Sequence, residues 1–175
     1  TIMLMDAKMD HGPILAQRTF PIAENETGAT LFEKMAREGA LLLVETLPGW
    51  LAATVKAVEQ EHEQATYTKL ITKEDGHIRW EESARVLERT IRAYDPWPGT
   101  FSFYNGMRVK IRASHVSGAK STQGAGTVVR YEDGIAVVTG DGLLIVDSLQ
   151  LEGKRPQSGE EFVRTYPDIV GTKLT

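Results

Sequence analysis

Two groups of residues in this chain have types and spacings that suit chemistry: a pair of carboxylates near its start and a row of cations past its middle. Asp6 and Asp10 mark a short acidic loop, and His11 follows Asp10 directly. Paired carboxylates can serve as general acid and base or hold a cation, and an adjacent imidazole can add a base or a ligand. The pattern is unspecific, because neighbours in an extended segment point opposite ways and no third or fourth ligand follows. A turn aspartate that bonds its own backbone is the commoner case and the reading the residues alone favour. The four histidines, His11, His62, His77 and His115, are scattered and there is no cysteine, so no metal centre is expected. In the cationic row, Arg108, Lys110 and Arg112 alternate with Val109, Ile111 and Ala113. Three positive groups therefore share one strand face, which suits phosphate contacts and equally suits protection of a sheet edge. Between the two groups, Asp95-Pro96-Trp97-Pro98-Gly99 forms a rigid turn that projects an indole. Trp97 either plugs a helix against the strands that follow or offers a surface on which a base or sugar stacks.

The elements that must position these residues follow from periodicity. Thr1 to Met5 is a nearly unbroken apolar run, read as a strand buried on both faces, and Pro13 to Ile22 reads as a second strand after the acidic loop. A long helix comes next, with a capping-box spacing at Thr30 and Glu33 and an apolar stripe through Leu31, Met35, Leu42, Thr46 and Trp50, read as core. From Val55 to Gly76 the apolar period dissolves among charged residues, as in an inter-domain linker. A second helix spans about Ser83 to Tyr94, with Val86, Leu87, Thr90, Ile91 and Tyr94 on one face and Arg85, Glu88, Arg89 and Arg92 on the other. Five β-prone runs then alternate with the turn pairs Asn105-Gly106, Asp133-Gly134 and Asp141-Gly142, and a short helix opens at the Ser158/Glu161 capping box. Five strands between two helices suggest an OB-like Greek-key barrel. The expected organisation is an α/β segment over residues 1–54, a linker over 55–76 and the barrel over 77–175.

Composition narrows the partners. With 41% hydrophobic and 25% charged residues in 175, the chain can bury a core, and no apolar run approaches a membrane span. The net charge of -4 is uneven: residues 1–76 hold 7 Lys/Arg against 12 Asp/Glu, and residues 77–175 hold 13 against 12. That balance is far from the strong basic bias of a dedicated nucleic-acid binder. The absence of cysteine excludes a disulfide scaffold and fits a reducing, cytoplasmic setting. A chain that opens on a buried strand without an initiator Met reads as part of something longer.

Taken together, the motifs go further than composition. Thr1 to Pro13 resembles the end of the catalytic domain of the formyltransferase family that uses 10-formyltetrahydrofolate, in which a Met-Asp-x-x-Leu-Asp-Thr-Gly loop holds a catalytic aspartate. The resemblance assigns that role to Asp10, with Met9 in place of Leu and His11 in place of Thr. Ala65-Thr66-Tyr67, Lys73, Ile78, Trp80, Ala84, Arg92-Ala93 and Asp95-Pro96-Trp97-Pro98-Gly99 follow the pattern of the members that act on methionyl initiator tRNA. It implies the end of a Rossmann-like domain followed by an OB-like domain, with Pro96, Trp97 and Pro98 as a structural hinge.

The implied reaction is transfer of a formyl group from 10-formyltetrahydrofolate to the amino group of methionine on initiator tRNA. In that reaction the amine attacks the formyl carbon, an Asn and a His stabilise the oxyanion and move protons, and the aspartate orients the His. The Asn and His belong to a motif upstream of Thr1, so these 175 residues alone are expected to be inactive and to bind no formyl donor. The intact enzyme is expected to be monomeric and to have no membrane partner. Lys73 matches a basic position of the family, and charge and placement add Arg89, Arg92, Arg108, Lys110, Arg112, Lys154 and Arg155 as tRNA contacts. Two other readings compete: a stand-alone RNA-binding or interaction module, and a formyltransferase whose acceptor is a nucleotide-linked amino sugar, against which the Pro-Trp-Pro turn argues.

Overall fold

Thr27 begins the first long helix. Its side chain accepts from the Thr30 backbone N–H while the Thr30 hydroxyl takes the Thr27 N–H, and helix α1 (Gly28–Leu51) follows. The cap therefore lies one turn earlier than the Thr30/Glu33 spacing suggested, because a threonine three residues on closes the box as a glutamate would. The computed structural model describes all 175 residues and divides them into two units, Thr1–Leu70 and Ile71–Thr175.

In the first unit, β1 (Ile2–Met3) and β2 (Ile14–Ala16) pair antiparallel, and Val58 bridges to Ile14 beyond β2. The opening run is half-buried, and Met5 is fully in solvent, so it is not a strand covered on both faces. The α1 stripe is likewise mostly open. Within α1 only Leu42 and Thr46 are buried, while Met35 and Trp50 of the stripe are 56% and 36% exposed and Phe32, Val44 and Leu51 beside it are 76%, 68% and 82% exposed. Length explains this. A helix of 24 residues runs about 36 Å, whereas strands of two and three residues span about 7–10 Å.

The second unit is an antiparallel sheet flanked by two helices. α2 (Ala84–Ala93) starts at Ser83, whose hydroxyl accepts from Val86 N–H. It buries Ala84, Leu87 and Ile91 and leaves Val86 largely exposed, so the inward stripe is narrower than the expected one. Strands β3 (Thr100–Tyr104), β4 (Met107–Ser117), β5 (Val128–Tyr131), β6 (Gly134–Val138) and β7 (Leu143–Leu151) pair in the order β3-β4-β7-β6-β5, and β8 (Gln157–Ser158) adds to β7. Placing β4 beside β7 makes the order of a Greek key, with β5, β6 and β7 joined by hairpins.

The turns are specific. Asn105 and Gly106 both adopt positive φ, as a two-residue hairpin of the primed type requires. The β5–β6 turn is Glu132-Asp133, shifted by one from Asp133-Gly134, and Gly134 pairs with Tyr131 inside the ladder. Gly140 in the β6–β7 loop must be glycine, since a Cβ there would lie 1.9 Å from the Glu81 carbonyl oxygen. α3 (Gly159–Thr165) carries the expected Ser158/Glu161 capping box.

The core lies between the inner sheet face and the helices. Val109, Val128, Val137, Leu144 and Phe162 are fully buried, with Trp80, Leu87 and Ile91 packed into the same cluster. A buried polar relay crosses it: Trp80 Nε1 donates to Ser102 Oγ at 3.0 Å, and Ser102 Oγ donates to the Thr175 carbonyl at 2.9 Å. The last residues run between two strands. Leu174 N–H donates to Gly126 O, while Phe103 and Thr175 exchange N–H···O bonds of 2.8 and 3.2 Å.

Candidate functional sites: an acidic loop and a cationic sheet face

In the first unit, the loop from Asp6 to Pro13 is held by groups distant in sequence. Leu4 N–H closes it onto the Pro13 carbonyl at 2.9 Å. Gly12 lies so close to Leu4 that a Cβ would sit 1.8 Å from the Leu4 carbonyl oxygen. Asp10 has φ +53°, the left-handed region that aspartate tolerates better than most residues. Gln60 secures it: its Nε2 donates to Asp10 O at 3.0 Å and to Gly12 O at 2.7 Å. Val58 and Ile14 exchange two N–H···O bonds of 2.8 Å, which brings Gln60 into register beside the loop.

Asp6, Asp10 and His11 do not form one constellation. Asp6 Oδ2 meets His11 Nδ1 at 2.6 Å, and Asp6 Oδ1 accepts from Lys8 N–H at 2.9 Å. The Lys8 N–H and then the His11 ring hold the Asp6 carboxyl below the usual carboxylate range. The His62 ring stacks on that of His11 with centroids 3.8 Å apart and planes within 3°. Histidines that are scattered in the sequence thus meet in space. Asp10 lines an open cleft of about 460 Å³ with Met9, His11, Gln60, His62 and Tyr67. No three His, Asp or Glu side chains converge as metal ligands.

In the second unit the cations lie in three environments. On α2, Arg92 is tied to Glu88 one turn earlier, and Arg89 is exposed. Lys73 immediately precedes the 3-10 turn Glu74–Gly76 and is exposed, and Arg155 pairs with Glu161 at 3.3 Å. The third environment is the outer face of β3, β4 and β7. Register sets Phe101 opposite Lys110 and Phe103 opposite Arg108, with Lys110 opposite Gln150 on the other side. A bulge after Ile111 displaces Arg112, whose Nη1 donates to Gln150 Oε1 at 3.3 Å, and Gln150 Nε2 donates to Lys154 O at 2.8 Å. Gln150 is thus contacted by Arg112 and by the Lys154 carbonyl and stands opposite Lys110, and Arg108, Lys110, Arg112 and Lys154 form no ion pair with a carboxylate. Trp97 is 56% exposed and does not plug the helix against the strands. Its turn contains cis bonds at Asp95–Pro96 and Trp97–Pro98.

The residues that hold the acidic loop, Gln60 and His62, left no trace in a segment that reads as polar linker. The ring cluster of His77, Phe101 and Phe103, with Arg108 lying over the two phenylalanines, was also missed. The outward positions 101 and 103 were legible in principle, because two phenylalanines fall on the same strand face as the cations.

Comparison with known proteins places this geometry in a family. Residues 70–167 match the model described as formyl transferase, C-terminal domain. The chain is 42% identical to the methionyl-tRNA formyltransferase of Roseiflexus castenholzii over 100% of its own length and 54% of the relative's. It is 39% identical to that of Desulfotalea psychrophila, over 93% of this chain and 51% of the relative. It thus spans about half the length of these curated relatives. Among solved structures, HypX from Aquifex aeolicus in complex with tetrahydrofolic acid matches at a TM-score of 0.68 and 16% identity, covering 96% of this chain and 30% of that one. The N-formyltransferase from Helicobacter canadensis, in complex with folinic acid and dTDP-3-aminofucose, matches at 0.61 and 20%, covering 87% and 54%. At these identities the structural likeness speaks for the fold alone.

Proposed function

The chain belongs to the formyl transferase family through its C-terminal domain, and from that premise we propose that it is the acceptor-binding half of a methionyl-tRNA formyltransferase. In this reading the second unit is an OB-like barrel that grips initiator tRNA, and the first unit is the end of the formyl-transferring domain. The observation that carries the RNA contact is the row Arg108, Lys110 and Arg112 on one face of β4, none of them neutralised by a carboxylate. Cations left unpaired on a sheet face suit phosphates, which position an RNA without reading its sequence. The bonds from the last residues to Phe103 on one side and Gly126 on the other support closure of the sheet into a barrel.

For the chemistry, Asp10 is the residue this chain contributes. It acts by orienting a histidine from the part of the protein outside these 175 residues, as the family resemblance implies. The exposed apolar flank of α1 supports that larger domain, since Phe32, Val44 and Leu51 are left in solvent by the unit itself. A tetrahydrofolate donor carries carboxylates, and the cleft at Asp10 is lined by acids, amides and histidines without a lysine or arginine. The lining of this chain alone does not fit the donor. No helix is long and apolar enough to cross a membrane. An amino-sugar acceptor is the weaker reading, because the nearer sequence relatives act on methionyl-tRNA by name.

The test is equilibrium binding of the 175-residue chain to methionyl initiator tRNA at low salt. Binding is expected, with Arg108→Glu combined with Lys110→Glu weakening it at least about tenfold. Equal affinity of the double variant would remove this face from the interface.

A further inference from the structure

We infer that the outer face of the β3–β4 hairpin is a stacking platform for an unpaired nucleotide of RNA, with His77 and Phe103 presented to the base and Lys110 and Arg112 placed for its phosphates. This rests on the RNA-binding reading above and deepens it, by naming the part of the RNA that the face takes.

A row of cations suits any phosphate backbone, but this face holds more than cations. Phe101 and Phe103 occupy successive outward positions of β3, and their rings meet edge to face at 5.7 Å and 84°. His77 arrives on the segment that pairs in parallel with Phe101, fixed by Ile78 N–H to Phe101 O at 2.9 Å. Its ring stacks on Phe101 with centroids 5.2 Å apart and planes within 8°, and it meets Phe103 edge-on at 5.7 Å. The Arg108 guanidinium carbon lies 4.1 Å from the Phe101 ring centre and 5.9 Å from that of Phe103. Phe101 is only 8% exposed and forms the floor. What reaches solvent is His77, which is exposed, and Phe103 and Arg108, which are half-buried.

The choice that Arg108 makes sharpens the point. Glu152 is its neighbour across the ladder, with Glu152 N–H donating to Arg108 O at 2.9 Å, yet the guanidinium lies over the phenylalanine and pairs with no carboxylate. A flat cation held over a ring keeps its charge available and adds a second planar surface. Base stacking on aromatic and guanidinium planes tolerates sequence and needs an unpaired base, since the faces of a base inside a duplex are already stacked. Lys110 lies opposite Phe101 on the same face and Arg112 one step further along β4, within reach of the phosphates that flank such a base. Charge on this scale favours RNA over a peptide. An acidic peptide would satisfy the cations but would leave the exposed imidazole and phenyl rings without planar partners.

The experiment uses the 175-residue chain and three RNA probes, read by fluorescence anisotropy: initiator tRNA, a short single-stranded RNA carrying one 2-aminopurine, and a blunt duplex of the same number of phosphates. The single strand is expected to bind at least about tenfold more tightly than the duplex, and the 2-aminopurine signal to be quenched on binding. Phe103→Leu keeps an apolar side chain and His77→Ala changes an exposed ring, so at least one variant retains the fold, as unfolding curves will show. Each is expected to weaken the single strand about tenfold, the value of one base–ring contact, and to abolish the quench without changing the salt dependence. If the chain binds tRNA but both variants leave single-strand affinity and quenching unchanged, or if the duplex binds equally well, the platform is refuted while phosphate contact stands. If the chain binds none of the three RNAs, the RNA-binding reading falls and the platform with it.

Discussion

Replacing Gln60 by alanine isolates the force that holds Asp10 in place. Its amide makes two hydrogen bonds to carbonyls of the loop, Asp10 O at 3.0 Å and Gly12 O at 2.7 Å, besides a long one to Met3 Sδ at 3.9 Å, while Asp10 sits at φ +53°. A side-chain hydrogen bond contributes about 0.5–1.5 kcal/mol net, and the partial solvent access of this pair favours the lower half of that range. Removing both should lower the local opening free energy of the loop by about 1–2 kcal/mol. At about 1.4 kcal/mol per factor of ten, that is roughly a 5–30-fold gain in open population. The reporter is the Leu4 amide, whose bond to Pro13 O at 2.9 Å closes the loop. Native-state hydrogen exchange reads it directly, because local opening sets its rate. Gln60→Glu is the matched control: it keeps the shape but removes the donor, and should accelerate exchange at least as much. An unchanged Leu4 rate, within about twofold in both variants, would refute the view that Gln60 positions Asp10.

Three further outcomes follow. Trp80→Phe removes the donor to Ser102 Oγ from a site where Trp80 is 3% exposed, and urea unfolding should show a loss of about 2–3 kcal/mol from the unmade bond and the space left behind. Deleting Leu174 and Thr175 removes a 3%-exposed leucine and the acceptor of Phe103 N–H and Ser102 Oγ; thermal unfolding should register a large loss, at least that of a core leucine truncation, about 2–5 kcal/mol. Asp6 has its folded pKa depressed, first by the Lys8 N–H and then by His11. Its contribution is therefore complete above the unfolded carboxylate value and is lost as pH falls through the folded one. The protection factor of the Lys8 amide, its exchange rate relative to the intrinsic rate at the same pH, should fall across that acidic window in the native chain, and Asp6→Asn should flatten that fall.

What could be read from sequence followed the range of the interactions. The alternation of Arg108, Lys110 and Arg112 with Val109 and Ile111 is a local, period-two signal, and β4 keeps it up to the bulge after Ile111. The Asn105-Gly106 turn was legible because positive φ at both positions restricts residue type. The Glu132-Asp133 turn was not, since a glycine one residue later offered the commoner pattern. Gln60 and His62 lie about fifty residues from the loop they hold, and their segment shows no period that would reveal a partner. The α1 stripe was read correctly as apolar and wrongly as buried, because periodicity reports which face is greasy and not what covers it. The Arg108–Phe101–His77 cluster needed the register of β3 on β4 and the parallel bridge to His77, neither of which composition encodes.

Contact between the cationic face of β4 and the phosphates of initiator tRNA, as proposed, is read most directly from the salt dependence of binding. Each phosphate contact contributes roughly 0.7–0.9 to the slope of log K against log salt. Comparing the native chain with the Arg108→Glu, Lys110→Glu variant on methionyl initiator tRNA should show a slope shallower by about 1.4–1.8 in the variant, with weaker binding throughout the low-salt range. Two parallel lines of equal affinity, or no binding by the native chain at low salt, would show that this face does not hold the phosphates.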